Sequence, residues 1–547
     1  ATDWLGPGGS DGYFYDSSNT DQAVVDSMMS SAVRWLAGKA TDAAAWDTLF
    51  RYFNQARGKG NVGYQSGEKI AIKANLANGQ AQYSGIDPST HAKKANDYGI
   101  DTSPQMIKAL LRQLVNVVGV AQSDISVGDP GSYFFQQWYD YLSPEFPNVH
   151  YLDHWPFPGR TAVSYSSVEF HWSTPDAEGK LQDHLPVSFA EAAYFINFAA
   201  FKGHSSGITV CGKNNYGSLI RNPDGYEWGE LKNYYDMHPS LPNPGYTPGR
   251  GLYRAIVDLM GHHELGGKTL ICFIDGLYGG YFADGYPYKW QMQPFNNDWP
   301  SSLFASQDPV AIDSVAFDFM ETEWPDVVSG GCYWPGALEG GAQDYIHEAA
   351  QADNPVSDTF YDPEDDGTRL ASLGVHEHWN NPTDKQYTRN LGTGNGIELI
   401  CSEPTMLGIS VTPGAFGFGL VDPGATVDNG GQPLVVRNTG NVSEDIGIRI
   451  KDQDDRDEWT AGAAPGANVY VLSMLLAEAI GTFDENDILT TAVQWCDGVK
   501  FGGGGCPIAP DGTVNQWLQF KAPTTVTGTH ARQEHTITLE LSCKAHE

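Results

Sequence analysis

Ala193-Tyr-Phe-Ile-Asn-Phe-Ala-Ala-Phe-Lys-Gly-His204 opens the stretch on which the fold turns, and Ser205-Ser-Gly-Ile-Thr-Val-Cys-Gly-Lys-Asn-Asn-Tyr-Gly-Ser-Leu219 completes it. An apolar run of strand length, Tyr194 to Phe201, delivers Lys202 and His204 to a glycine-rich loop, and Lys213, Asn214 and Asn215 follow almost at once. The chain carries 32 Lys+Arg against 67 Asp+Glu. Gathering cationic and amide donors around one loop of so acidic a protein is costly unless an anion sits between them. The expectation is an anion pocket, with solvation or pairing of Lys202 and Lys213 to nearby carboxylates as the plainer alternative. Flanking glycines permit the close backbone approach that a ligand loop needs.

Around that stretch the chain is long, 547 residues with 41% hydrophobic residues and 15 Trp, enough for several domains with ample cores. A formal charge of −35 spread along the length argues against nucleic-acid or anionic-membrane binding and suits a cation-attracting surface, with calcium the natural counterion. No window approaches the roughly 18 to 20 apolar residues of a membrane span. The start at Ala1-Thr-Asp-Trp reads as a processed mature end or a clipped chain. None of the seven Cys lies in a CxxC pair, which excludes the commoner zinc and redox signatures. Cys496 and Cys506 bracket Phe501-Gly-Gly-Gly-Gly505 as a hairpin disulfide would, and Cys401 and Cys543 flank the C-terminal region as a second staple would. The setting expected is oxidising and extracytoplasmic, secreted or at the cell surface. Cys211, Cys272 and Cys332 read as buried thiols.

Taken in order, Thr20-Asp21 and Thr41-Asp42 cap two helices, the first with the apolar face Val25, Met28, Met29, Ala32, Val33 and Leu36, the second burying Trp46, Leu49, Phe50 and Phe53. Lys69 to Lys73 is a strand. Ser103-Pro104 starts a helix that Gly119 ends. Ile125 to Asp129 and Val149 to Asp153 are further strands, separated by an aromatic helix over Tyr133–Tyr141. Strands alternating with helices give parallel βαβ units, whose functional loops gather at the strands' carboxyl ends. Lys73, Asn75, Asp129 and Lys202 occupy such ends, as does Asp275 after Thr269–Ile274. Asp308-Pro309 caps another helix, with Asp313 one turn in. Capping or solvation competes evenly with a site role for these carboxylates.

The ordered pieces Ile70-Ala-Ile-Lys-Ala-Asn-Leu76, Thr102-Ser-Pro104, Phe201-Lys-Gly-His204, Gly212-Lys-Asn-Asn-Tyr-Gly217, Phe273-Ile-Asp-Gly276 and Ser306-Gln-Asp-Pro-Val-Ala-Ile-Asp313 together resemble the domain-of-unknown-function family 362, exported type, from about Glu68 to Trp324. The resemblance aligns Lys73 and Asn75 with a strand-end motif, Lys202 and His204 with a lysine-and-histidine loop, and Lys213 and Asn214 with a lysine–asparagine step. It aligns Asp275, Asp308 and Asp313 with later acidic positions, and His238 in Asp236-Met-His-Pro239 with an intervening histidine. Lys202, His204 and Lys213 are thereby candidate catalytic groups, and Lys73, Asn75, Asn214, His238, Asp275, Asp308 and Asp313 candidate ligand contacts. Many members carry iron–sulfur modules; this chain has no ferredoxin-like cysteine run, so no cluster is expected.

Beyond Trp324, Asp362-Pro-Glu-Asp-Asp-Gly367 clusters carboxylates before a turn glycine, and Asp362, Glu364 and Asp366 are candidate calcium ligands. His376-Glu-His378 would place two imidazoles on one side of a strand as a metal pair, although hydrogen-bonded surface histidines fit as well. After Cys401 the text becomes short β-branched runs between Gly, Pro, Asn and Asp, as in an immunoglobulin-like β-sandwich. Its acidic turn Asp452-Gln-Asp-Asp-Arg-Asp457 reads as a solvated charge run or a calcium loop, and Asn441-Val-Ser443 is a glycosylation-type triplet. The expected plan is an α/β domain with a mostly parallel sheet and flanking helices over 1–400, a linker over 401–407 and an all-β domain over 408–547. Two functions suit it: a pocket at the strand ends that binds or transforms a small anion, or a subunit that self-assembles into an extracellular filament or surface layer.

Overall fold

The run that begins at Tyr194 forms an inner strand of an eight-stranded sheet and continues past its apolar stretch to His204. A computed structural model describes residues 4–79, 85–204, 207–220, 233–240, 251–282, 285–325, 328–329, 332–333, 342–401, 407–456, 458–497, 499–502, 505–527 and 534–546. Ser205, Ser206, Asp457 and the side chain of Cys332 lie outside the described part. The chain divides into two compact units, Ala1–Glu403 and Pro404–Glu547.

In the first unit the strands are Ile70–Ala74 (β1), Ile125–Gly128 (β2), His150–Asp153 (β3), Thr161–Ala162 (β4), Tyr194–His204 (β5), Gly207–Thr209 (β6), Thr269–Gly280 (β7) and Ser302–Ser306 (β8). Their order is β8-β7-β5-β1-β2-β3-β4, with β6 folded back on β5. Every pairing is parallel except β7 with β8 and β5 with β6. The mostly parallel sheet expected from the alternation of strands and helices is therefore present, with an antiparallel edge strand whose short run of half-buried residues gives no clear signal.

Strand alternation sorts the side chains into layers. Ile70 and Ile72 of β1 and Tyr194, Ile196 and Phe198 of β5 join one core with the helices Gln22–Ala37 (α1), Asp42–Ala56 (α2) and Pro104–Arg112 (α3). On the other face Ala71 and Phe195 enter a second cluster, while Ala199 and Phe201 enter a third. That third cluster is shared with the helices Cys211–Asn214 (α4), Ala255–Gly261 (α5), Pro309–Glu323 (α6) and Asp344–Ala350 (α7). Burying each such large apolar side chain stabilises by about 1.5–3 kcal/mol. The caps fall where the sequence puts them. Asp21, Thr41, Ser103 and Asp308 each accept from the first turn of the following helix. After Arg112 the helix widens into π-type turns over Gln113–Val118 and closes at Gly119, whose φ of 84° suits a residue without Cβ.

The second unit is strand-rich. One sheet runs in the order Ile409–Thr412, Leu434–Asn438, Thr513–Lys521, Val469–Leu476 and Thr460–Ala461, with Thr426–Asp428 also on Thr513–Lys521. The other joins Gln494–Trp495, Glu444–Asp452 and Thr538–Ala545. Both contribute to one core, Val436, Leu472, Met474 and Leu518 from the first and Ile446, Ile448 and Ile450 from the second. The acidic turn is held from within: Asp454 accepts from the backbone of Glu458 and Trp459 and faces His535 at 3.0 Å. Among the described residues no helix is long and apolar enough to cross a membrane.

Cys211 and Cys272 are buried neighbours, as expected of core thiols. Cys506 lies against Cys496, whose contact draws its thiol below the ordinary range. Cys401 is an exposed thiol beside Lys385 in the first unit, and Cys543 a half-buried thiol beside Glu444 in the second.

Candidate functional site

β1 and β5 lie side by side in register, Lys73 opposite Asn197, and both run out at the same carboxyl rim. Three lysines meet there. Lys73 is 1% exposed; its Nζ pairs with Asp129 at 3.0 Å and donates to the Ala74 carbonyl at 2.8 Å and to Asn214 Oδ1 at 3.1 Å. Lys202 is equally buried and donates to the Ile100 carbonyl, which crosses the rim. Lys213, on α4, rests its ammonium 3.9 Å from the centroid of the Tyr216 ring. Among the described residues that ammonium has no hydrogen bond or ion pair. Burial and then the charges of Lys73 and Lys202 lower its pKa to about 7, against the partial opposition of Asp129.

His204 ends the same strand. Burial first, then Lys213, His238 and Lys202, hold its pKa well below the ordinary imidazole range, so it is neutral at pH 7. His238 approaches from its own short turn, with Nδ1 2.8 Å from Asp236 Oδ1 and its ring edge-on to Tyr216 at 5.9 Å. The sequence-predicted cations and both histidines are thus brought to one rim of the sheet.

Buried amides fix their positions. Asn214 donates to the Lys73 carbonyl at 3.1 Å and to Asn197 Oδ1 at 2.8 Å, while its own oxygen accepts from Lys73 and from Asn75 Nδ2 at 3.1 Å. Asn197 in turn donates to the Cys211 carbonyl and to Asn215. Among the described residues Asn75 Oδ1 is buried without a hydrogen-bond partner, an acceptor at the edge of the cluster. Gly217 closes over the pair beneath: a Cβ there would fall 2.2 Å from Asp129 Oδ1 and 3.1 Å from Lys73 Cε. Asn197 and Tyr216 were not legible as site residues. An amide inside an apolar strand gives no sign of its partners, and an aromatic near a lysine is ordinary.

The acidic positions do different work. Asp275 accepts from the Ser103 and Leu277 amides at 2.7 and 3.0 Å, tying the start of α3 to β7, and burial raises its pKa. Asp308 caps α6 through Val310 and Ala311 and holds the Val375 amide with its other oxygen. Asp313 accepts from Cys211 and Gly212 at the start of α4 and from the Tyr345 hydroxyl at 2.8 Å, and burial pushes it up to about 7. Their oxygens serve backbone and hydroxyl donors, and of the three it is Asp313 that positions the loop bearing Lys213 and Asn214. A groove of about 700 Å3 lined by Gln122, Pro147, His150 and Thr161 lies at the amino ends of β2 and β3, away from this chemistry.

The structure does not gather Asp362, Glu364 and Asp366 into one ligand set. Asp362 accepts from the Asp366 and Gly367 amides, Asp366 from Thr368, and Glu364 turns to His263, with Nδ1 at 2.8 Å. His376 and His378 sit on an irregular segment rather than the expected strand. Their rings are nevertheless 5.0 Å apart.

The first unit is thus a parallel α/β domain with a cationic carboxyl rim. Residues 85–318 match the family model described as "Domain of unknown function (DUF362)", which agrees with the resemblance over this part of the chain. Neither the curated proteins nor the solved structures contain a match.

Proposed function

We propose that the carboxyl rim binds a small anion, a carboxylate or a phosphate ester, between Lys213, Lys202 and His204. The observation that carries this reading is the Lys213 ammonium, held against two further lysines without an ion pair of its own among the described residues in a chain of formal charge −35. Such a group is stabilised by an arriving anion far more than by solvent. Lys73 is spent on Asp129 and serves as the floor of the site. With its pKa near 7, Lys213 also has an uncharged fraction at neutral pH, the form that accepts a proton or attacks a carbonyl carbon. His204, neutral beside it, is the partner for that proton. Calorimetric titration of the full chain with inorganic phosphate and with acetate at pH 6.5 tests the reading. Lys213→Ala should weaken binding at least tenfold while the fold, followed by circular dichroism, is kept; unchanged affinity, or no binding by the parent chain, overturns it.

We further infer an extracytoplasmic setting, supported by the approach of Cys506 to Cys496, and take the second unit as an immunoglobulin-like module. In protein isolated from its native host, differential alkylation and peptide mass spectrometry should find Cys496 and Cys506 bridged and Cys211 and Cys272 reduced. Alkylation of Cys506 without prior reduction would count against that setting.

A further inference from the structure

Helix α6 is buried along most of its length, yet it carries a polar seam at Ser314, Asp318 and Glu321, four and then three residues apart and therefore on one face. The irregular segment through His376 and His378 lies along that seam. His378 Nδ1 is 2.6 Å from Asp318 Oδ1, and its Nε2 is 2.9 Å from Gln343 Oε1. Asp318 is 2% exposed; its other oxygen accepts from the Trp379 amide at 3.0 Å and the Tyr387 hydroxyl at 2.8 Å, which orients the carboxylate toward His378. Glu321 completes the group: one ligand atom from each of Asp318, Glu321 and His378 lies within 4.8 Å of the others. Among the described residues the Glu321 carboxylate has no hydrogen bond or ion pair.

Two carboxylates therefore share a half-buried site with a single imidazole, and the imidazole side chain is 41% exposed, leaving a path from solvent. One nitrogen and two carboxylate oxygens form a ligand set suited to a borderline divalent ion, for which imidazole is a good ligand, and unsuited to calcium, which prefers oxygen alone. The hydrogen bonds from Trp379 and Tyr387 to Asp318 are the outer contacts that fix a metal-binding carboxylate. His376 adds a neighbouring imidazole, with Nδ1 2.8 Å from the Ser314 hydroxyl, which itself donates to the Val310 carbonyl at 2.8 Å, and with Nε2 3.3 Å from His347 Nε2. We propose that Asp318, Glu321 and His378 form a site for one divalent transition-metal ion such as Zn2+, separate from the lysine rim.

The test uses the full chain, stripped with EDTA and dialysed, and titrated with Zn2+ by calorimetry and with Co2+ by visible absorption. One ion per chain should bind, with cobalt bands of a mixed nitrogen–oxygen site and no displacement by millimolar Ca2+. Glu321→Gln, which keeps size and shape, and His378→Ala should each weaken Zn2+ binding tenfold or more. His263→Ala, in another histidine–carboxylate cluster, with His262 and Glu364, should leave it unchanged. Absence of binding, binding lost with His263→Ala, or binding indifferent to Glu321→Gln in a chain with an unaltered thermal melt overturns the assignment.

Discussion

Lys73→Met is expected to destabilise the α/β unit by about 3–5 kcal/mol, the cost of leaving one partner of a buried ion pair uncompensated. The Lys73 and Asp129 side chains are 1% and 5% exposed, so neither charge recovers hydration when the other is removed. Among the described residues Asp129 would retain only the Leu76 amide, at 3.1 Å, as a direct side-chain donor. Gly217 lies against both side chains and leaves little space for the carboxylate to swing toward solvent. Burial already lowers the Lys73 pKa, and Asp129 is what opposes that shift; the pair holds its charges only jointly. Lys73→Met/Asp129→Leu should therefore regain at least half of the loss, because removing both charges also removes the desolvation cost. Urea unfolding with hydrogen exchange at β1 separates this unit from the other. A single-variant cost below about 1 kcal/mol, or a double variant no better than the single, would show that the pair is not the floor of the site.

Much of that floor was readable from local pattern. The stretch Ile70–Ala74 is apolar on both sides of a lysine, and an apolar strand closing on a cation places the cation at a strand end. Thr41, Ser103 and Asp308 were legible as caps because a cap is decided by residues within one turn. Hydrogen bonds that span the chain were not legible. Asp313 looks like any first-turn acid until Cys211 and Gly212, about a hundred residues earlier, fold onto it. Glu364 sits in an acidic run that mimics a calcium loop, yet its partner is His263, set by how two loops meet rather than by spacing. Val469–Leu476 carries no alternation because it is buried on both faces, so a central β-strand reads like a helix fragment. The segment at His376 shows the same limit from the other side. Alternation in sequence suggests a strand, but no neighbouring strand pairs with it among the described residues, and the imidazoles are fixed by Ser314, Asp318 and Gln343 instead.

Acetate affinity at the lysine rim should fall as pH rises above about 7, approaching tenfold for each unit, and Lys213→Met should abolish that dependence. The sign follows from the protonation states. An unfolded lysine titrates near 10.5, whereas Lys213 in the fold titrates near 7 because burial, Lys73 and Lys202 all disfavour its charge. Between those values the unfolded chain binds the extra proton, so this group's contribution to stability improves as pH rises through the window, and its penalty is fully present below about 7. A bound carboxylate reverses the balance by stabilising the ammonium, so binding at pH 8 must be accompanied by proton uptake. Acetate keeps one charge throughout this range, and His204 is already held neutral by burial and its cationic neighbours, so neither supplies the slope. Lys73 is committed to Asp129. Calorimetry in two buffers of different ionisation enthalpy at pH 8 counts the protons directly. An uptake near one per acetate, lost in Lys213→Met, places the titrating amine at the ligand; an uptake near zero, with affinity flat from pH 6 to 9, would mean that Lys213 does not touch the anion even if the rim binds one.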